Sequence, residues 1–363
     1  MDEKNQEIIS QQPAIYRILD ANLDRAREGL RIIEEWCRFG LNNSQLANDC
    51  KQLRQELATW HSAEFRMARD TPGDVGTELT HPQEEQRQSI EALLQANLCR
   101  VEEALRVLEE YGKLCNADMG TAFKQMRYQV YTLESNLFAY RRHQQLKESL
   151  LYLVSSPEED ILPLVEAALQ GGLTLVQYRD KEGNDLERFA LAHKLCHLCH
   201  AYKALFIVND RVDLALAVDA DGVHLGQQDL PIAFARHILG KQKIIGKSTT
   251  NPAELEQAIA DGADYIGVGP VYETPTKADK AAVGLEYVRY AAKNCTIPWF
   301  AIGGIDHNNV VDVLRAGADR IAVVRAIMQS EQPTRVTQYF VSQLMRKQNF
   351  KRLELKGNQS NAT

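Results

Sequence analysis

The chain has 363 residues, 44% hydrophobic and 25% charged, the balance of an ordinary globular protein with room for two to three domains. Its net charge of −7 gives no basic bias towards nucleic acid. No apolar run reaches the roughly 18 residues of a membrane span, and the seven scattered cysteines argue against a disulfide framework. The opening MDEKNQEIISQQ lacks the apolar core of a secretory signal, so residues 1–12 are expected to be a disordered N-terminus and the cytoplasm is the expected compartment.

Residues 13–146 read as helix, with apolar side chains recurring at three and four, as at Leu23, Ala26, Leu30, Ile33 and Trp36. An internal repeat runs through them. ANLDRAREGLRIIEE from Ala21 returns as ANLCRVEEALRVLEE from Ala96, an offset of 96 − 21 = 75. Duplication of a helical unit predicts an all-helical bundle in which two copies pack about a pseudo-two-fold axis. Arg25 and Glu28 share one helix face, as do Arg100 and Glu103. They form either a charged ion-pair face or, with Asn22 and Asn97, a small polar site. RDTPGDVGTELTHP, residues 69–82 between the copies, reads as a loop.

After Leu150 short β-rich runs alternate with helical stretches. Strands are expected at 150–154, 173–179, 205–210, 222–226, 243–248, 265–270, 299–304 and 320–324, with helical patterns at Glu158–Gln170, Asp185–Tyr202, Pro252–Asp261 and Asn308–Ala316. Such alternation implies parallel pairing, and eight units favour closure into a (β/α)8 TIM barrel over residues 147–347; an open doubly wound sheet is the alternative. CHLCH at 196–200 has the look of a metal or redox motif. It lies within a helical pattern and has no second ligand pair, so a helix carrying two semi-buried cysteines is expected. The polar tail, 348–363, is expected to be disordered.

In such barrels the chemistry sits at the C-terminal ends of the strands. Here these ends are dense in polar residues: Gln177 to Lys181, Asn209-Asp210, Gly226 to Asp229, Lys247 to Thr250, the loop Thr274 to Lys277, Gly303-Gly304 and Val324-Arg325. Asp210 and Asp229 are two carboxylates that can share a hard cation; magnesium prefers one or two such ligands plus phosphate oxygens. Arg179, Lys181 and Lys277 bring positive charge to the same mouth, where it can neutralise a departing diphosphate. Ser248 can hold an anion or orient a ring, and Gln177 and Asn209 suit the edge of a heterocycle. Glycines after the seventh strand, with Val324 after the eighth, admit a second phosphate. His224, inside GVHLG, reads as structural rather than catalytic, and no nucleophilic triad is evident.

The stretches VQYRDK, VND, GVHLGQQD, GKSTT, GVGPVYETPTK, AIGGI and IAVV, in this order between Leu150 and Ala326, resemble the thiamine-phosphate synthase family. The resemblance implies a (β/α)8 barrel that joins 4-amino-2-methyl-5-hydroxymethylpyrimidine diphosphate to a thiazole phosphate, plain or carboxylated, releasing pyrophosphate. It implies contacts to the pyrimidine diphosphate from Gln177, Tyr178, Arg179, Asp180, Lys181, Asn209, Ser248 and Lys277. Magnesium is implied on Asp210 and Asp229. Thr274, Pro275, Thr276, Gly304, Val324 and Arg325 are implied for the thiazole phosphate, and Arg179, Lys181, Ser248 and Lys277 as the catalytic set. Many relatives carry a small Ser where this chain has Arg325. The helical half resembles an N-terminal extension of some members and brings no activity with it; self-association is its expected role, with a docking surface for a neighbouring pathway enzyme or a second catalytic unit as the alternatives. A thiazole tautomerase-like barrel and a non-catalytic ligand sensor are the rival readings. The retained carboxylates and basic residues speak against both.

Overall fold

The computed structural model describes residues 3–75, 87, 89–156, 160–275 and 281–360. The chain forms two compact units, Met1–Phe138 and Ala139–Thr363.

The first unit is helical. It contains α1 (Glu3–Glu35), a π-helical stretch (Trp36–Gly40), α2 (Ser44–Thr59), α3 (Ala63–Met67), α4 (Ile90–Cys115) and most of α5 (Ala117–Glu148). Asn43 and Ser89 cap α2 and α4 by accepting from Leu46 N at 3.0 Å and Ala92 N at 3.1 Å. The predicted stripe of α1 (Leu19, Leu23, Ala26, Leu30, Ile33) is buried, as is that of α4 (Leu94, Leu98, Val101, Leu105, Leu108). The two helices pack against each other, closely at Gly29, where a Cβ would stand 2.7 Å from Val101 Cγ2 and 3.1 Å from Asn97 O.

The sequence repeat is also a repeat of contacts. Asn22 and Asn97 each donate from Nδ2 to the carbonyl four residues back, Ile18 O and Leu93 O, both at 2.8 Å. Glu34 is buried against Arg54 of α2 and flanked by Arg31; Glu109 is buried against Arg127 of α5, at 2.8 Å, and flanked by Arg106. The repeated ion pairs thus centre on Glu34 and Glu109 rather than on Glu28 and Glu103, and Arg100 Nη1 donates to Asn97 Oδ1 at 3.1 Å within α4.

The second unit is a closed barrel of eight parallel strands in chain order, β1 pairing with β8. The strands are β1 (Leu151–Val154), β2 (Leu175–Tyr178), β3 (Leu205–Asn209), β4 (Gly222–Leu225), β5 (Ile244–Thr249), β6 (Tyr265–Val268), β7 (Trp299–Ile302) and β8 (Ile321–Val323). Each lies within the run expected for it to within one residue, and the open-sheet alternative is excluded. Period-2 alternation sorts their side chains into two layers. Tyr152, Leu175, Leu205, Ile207, Ile244, Tyr265, Phe300 and Ala322 fill the barrel interior. Their neighbours Leu153, Val176, Phe206, Val223, Ile245, Ile266, Ala301 and Ile321 face the surrounding helices. Those helices are α6 (Ile161–Gln170), α7 (Asp185–Ala201), α8 (Val212–Ala217), α9 (Ile232–Leu239), α10 (Pro252–Ala260), α11 (Gly284–Asn294), α12 (Val310–Arg315), α13 (Arg325–Met328) and α14 (Pro333–Ser360).

Three expectations change. The end of α5 belongs to the barrel unit. Leu146 joins the interior cluster, Arg142 donates to Asp221 Oδ1 at 2.8 Å and to Gln242 O at 3.0 Å, and His143 Nε2 lies 3.0 Å from Asp264 Oδ1. These partners precede β4, β5 and β6, so the last turns of α5 floor the barrel, and the division falls at Phe138/Ala139 rather than after residue 146. The ends expected to be disordered also carry helix, α1 from Glu3 and α14 to Ser360, because both stretches consist mainly of good helix formers. In α7, Cys196 and Cys199 are both buried, more deeply than expected.

Candidate active site

Above the interior layer, at the C-terminal strand ends, lies a cavity of about 1000 Å³. Strand β2 shows how its walls are built. Alternation that turns Val176 and Tyr178 to the helices turns Gln177 inward, and Arg179 and Lys181 follow it to the mouth. Asn209, Asp210 and Asp229 line the cavity after β3 and β4, Ser248 at β5 and Thr274 after β6. Gly304, Val324 and Arg325 line it after β7 and β8.

The two aspartates form the electrostatic centre. Asp210 takes a left-handed backbone (φ 62°), a conformation that marks functional positions more often than average for a non-glycine residue, and its N–H donates to His224 O at 2.8 Å. Burial, and then the Asp229 carboxyl close enough to share a proton, push Asp210 up to about 6. Lys181 Nζ stands 3.7 Å from Asp210 Oδ2. Asp229 is fixed by Gly226 N, which donates to its Oδ2 at 2.6 Å. Lys247 is buried and pushed below its ordinary value by burial; its Nζ donates to Gly226 O at 2.8 Å and so braces the same turn.

After β7 the backbone requires glycine. Gly303 (φ 105°) and Gly304 (φ 66°) pass so close to the β6 loop that a Cβ would stand 2.5 Å from Pro270 Cα and 2.7 Å from Tyr272 Cβ, respectively.

Five expected residues stand apart. Tyr178 and Asp180 do not line the cavity. Strand alternation points Tyr178 outward, where its hydroxyl donates to Asp180 Oδ2 at 3.2 Å. Asp180 Oδ1 accepts from Glu182 N at 2.9 Å and Gly183 N at 3.0 Å, so it builds the turn after β2. Thr276 and Lys277 lie outside the described residues. Pro275 is described but is not among the cavity walls.

The sequence reading of the site left out Tyr152 and Tyr265 and took His224 as structural. Tyr152 and His224 line the cavity floor, and Tyr265 bonds to both from the layer beneath. The only signal for them was a polar-tipped aromatic at an inward position of an apolar strand. Arg335 and Tyr339 of α14 also reach the cavity.

Two families match the chain, Thiamine monophosphate synthase over residues 151–327 and the ThiD2 family over residues 17–136. The thiamine-phosphate synthase of Nostoc punctiforme is 72% identical over 335 residues, covering 92% of this chain and 95% of its own. That of Synechocystis sp. is 65% identical and covers 92% and 97%. The chain belongs to the thiamine-phosphate synthase family. Among solved structures, the thiamine phosphate pyrophosphorylase of Pyrococcus furiosus is 38% identical with a TM-score of 0.52, covering 56% of this chain and 98% of that one. For a thiamine-phosphate synthase, the cavity walls extend past the matched region, since Arg335 and Tyr339 lie beyond residue 327. Among the described residues no helix is long and apolar enough to cross a membrane.

Proposed function

We propose that the barrel couples 4-amino-2-methyl-5-hydroxymethylpyrimidine diphosphate to a thiazole phosphate, forming thiamine phosphate and pyrophosphate. The observation that carries this reading is the Asp210–Asp229 pair beside Lys181 and Arg179 at the mouth of one cavity. Two carboxylates near enough to share a proton are a fitting donor set for a hard divalent cation, and Asp210 and Asp229 would hold magnesium. Magnesium, when bound, supplies charge neutralisation for a leaving diphosphate. Arg179, Lys181 and Lys277 add fixed positive charge there. Gln177 and Asn209 orient the pyrimidine, and Ser248 donates to it. Thr274, Thr276, Gly304, Val324 and Arg325 receive the thiazole phosphate. The C–O bond to pyrophosphate breaks with its electron pair leaving on oxygen; the ring amino group stabilises the resulting methylene cation, which the thiazole nitrogen captures. Catalysis is then positioning and electrostatics rather than covalent attack.

The test is pyrophosphate release from the two purified substrates. Asp210→Ala and Lys277→Ala should each abolish most turnover while substrate analogues still bind; near-normal turnover by both would overturn the assignment. The seven free cysteines fit the cytoplasm. For the helical unit we propose self-association, motivated by its duplication and by exposed Phe39 and Met67. Light scattering of the full chain against residues 139–363 checks it, and equal oligomeric states would refute it.

A further inference from the structure

Five polar side chains form an unbroken chain through the barrel interior. Gln177 Nε2 donates to Tyr152 Oη at 2.5 Å, and Tyr152 Oη lies 2.7 Å from Tyr265 Oη. Tyr265 Oη lies 3.0 Å from His224 Nδ1, and His224 Nε2 lies 2.8 Å from Ser248 Oγ. Gln177 and Ser248, the two ends, line the cavity, Tyr152 and His224 form its floor, and Tyr265 beneath them is fully buried.

The direction of the chain follows from its first member. An amide nitrogen can only donate, so Tyr152 accepts from Gln177 and keeps its own proton for Tyr265. The reverse order would leave the Tyr152 proton facing apolar core, at the cost of an unmade buried hydrogen bond. Tyr265 then donates to His224 Nδ1. This fixes the imidazole as the Nε2–H tautomer, and Nε2 donates to Ser248 Oγ. Ser248 keeps its own proton for the cavity, and Gln177 keeps its carbonyl oxygen. Burial holds both phenols well above their ordinary value, so both keep their protons.

We infer that Tyr152, Tyr265 and His224 are positioning residues that set the hydrogen-bonding polarity of the pyrimidine site, an acceptor at Gln177 and a donor at Ser248. Such a site selects a heterocycle that presents an N–H donor to Gln177 and a lone pair to Ser248. The inference rests on the proposed reaction, whose 4-aminopyrimidine has an amino donor beside a ring-nitrogen acceptor. The 4-oxo analogue presents the inverse pair. To accept it, the Gln177 amide must flip, the hydroxyl hydrogens of Tyr152, Tyr265 and Ser248 must all turn round, and His224 must change to its Nδ1–H tautomer.

The experiment compares pyrophosphate release from the 4-amino and 4-oxo diphosphates in the wild type, Tyr265→Phe and Tyr152→Phe. It is paired with 15N NMR of histidine-labelled wild type. Phe keeps the ring packing among Tyr152, Tyr265 and Phe300 while cutting the chain. The wild type should prefer the amino substrate by about a hundredfold in kcat/KM, and either variant should narrow this to about tenfold, mainly through KM. His224 should be the Nε2–H tautomer. An Nδ1–H tautomer in the wild type, or an unchanged preference in the folded variants, overturns the inference. A wild type that releases no pyrophosphate from either compound overturns the proposed reaction, while the tautomer still decides the polarity of the chain. If both variants fail to fold, the wild-type tautomer decides it as well.

Discussion

Asp221 offers the sharpest test of how the barrel is held together. It is 6% exposed and accepts three hydrogen bonds: Arg142 Nε at 2.8 Å, His200 Nε2 at 2.9 Å and Phe206 N at 2.9 Å. Asp221→Ala strands all three donors. Removing one partner of a buried charged network typically costs 3–5 kcal/mol, but here the cationic partners are half-open to water, at 23% for the Arg142 side chain and 44% for His200. Solvent therefore offsets part of their loss, while the buried Phe206 N–H stays unpaired, which places the expected cost near 3 kcal/mol. For a unit of this size that corresponds to a fall of about 6–12 °C in the barrel's Tm by scanning calorimetry. Asp221→Asn, which keeps one acceptor and the volume, should lose about half as much. A loss below about 1 kcal/mol in the Ala variant would refute the claim that this carboxylate ties α5 to the strand floor.

Two further outcomes follow from the same structure. His200 is raised from 6.5 to about 10, first by its hydrogen bond to Asp221. A raised folded pKa contributes stability that is full below 6.5 and is lost as the pH climbs through about 10. Melts between these limits should show a decline that His200→Gln abolishes; an equal decline in the variant would remove His200 as its source. Gly304→Ala forces a Cβ onto a backbone at φ 66° within 2.7 Å of Tyr272 Cβ. It should raise KM for the thiazole phosphate about tenfold or more while leaving that for the pyrimidine diphosphate nearly unchanged, since strain of this kind is worth about 1–3 kcal/mol. Equal effects on both constants in steady-state kinetics would contradict a separate second phosphate site.

Much of the barrel was legible in sequence because its signal is local. Each strand is a short apolar run with a polar end, and inward residues such as Gln177, Asn209 and Ser248 stand next to that run. Tyr178 and Asp180 were misjudged because adjacency to Gln177 says nothing about which side of the strand a residue faces. The Tyr152–Tyr265–His224 network was invisible for another reason: residues 113 and 41 positions apart meet only once the barrel closes. The division at Phe138/Ala139 has no sequence mark either, since the helical period of α5 runs straight through it. In the helical unit the repeat predicted which residues would be equivalent, but not that each buried glutamate would find an arginine on the following long helix.

The floor built by Leu146, Arg142 and His143 has a consequence for the interchangeability of barrels. These residues precede the span matched by the Thiamine monophosphate synthase family, which begins at residue 151. A graft that transplants only the matched span onto another leader would bring the strand ends that wall the cavity and leave Asp221 and Asp264 with no cation from below. The ancestry of such barrels is read from their rims. Whether one survives transplantation depends on two turns of helix that the kinship does not include.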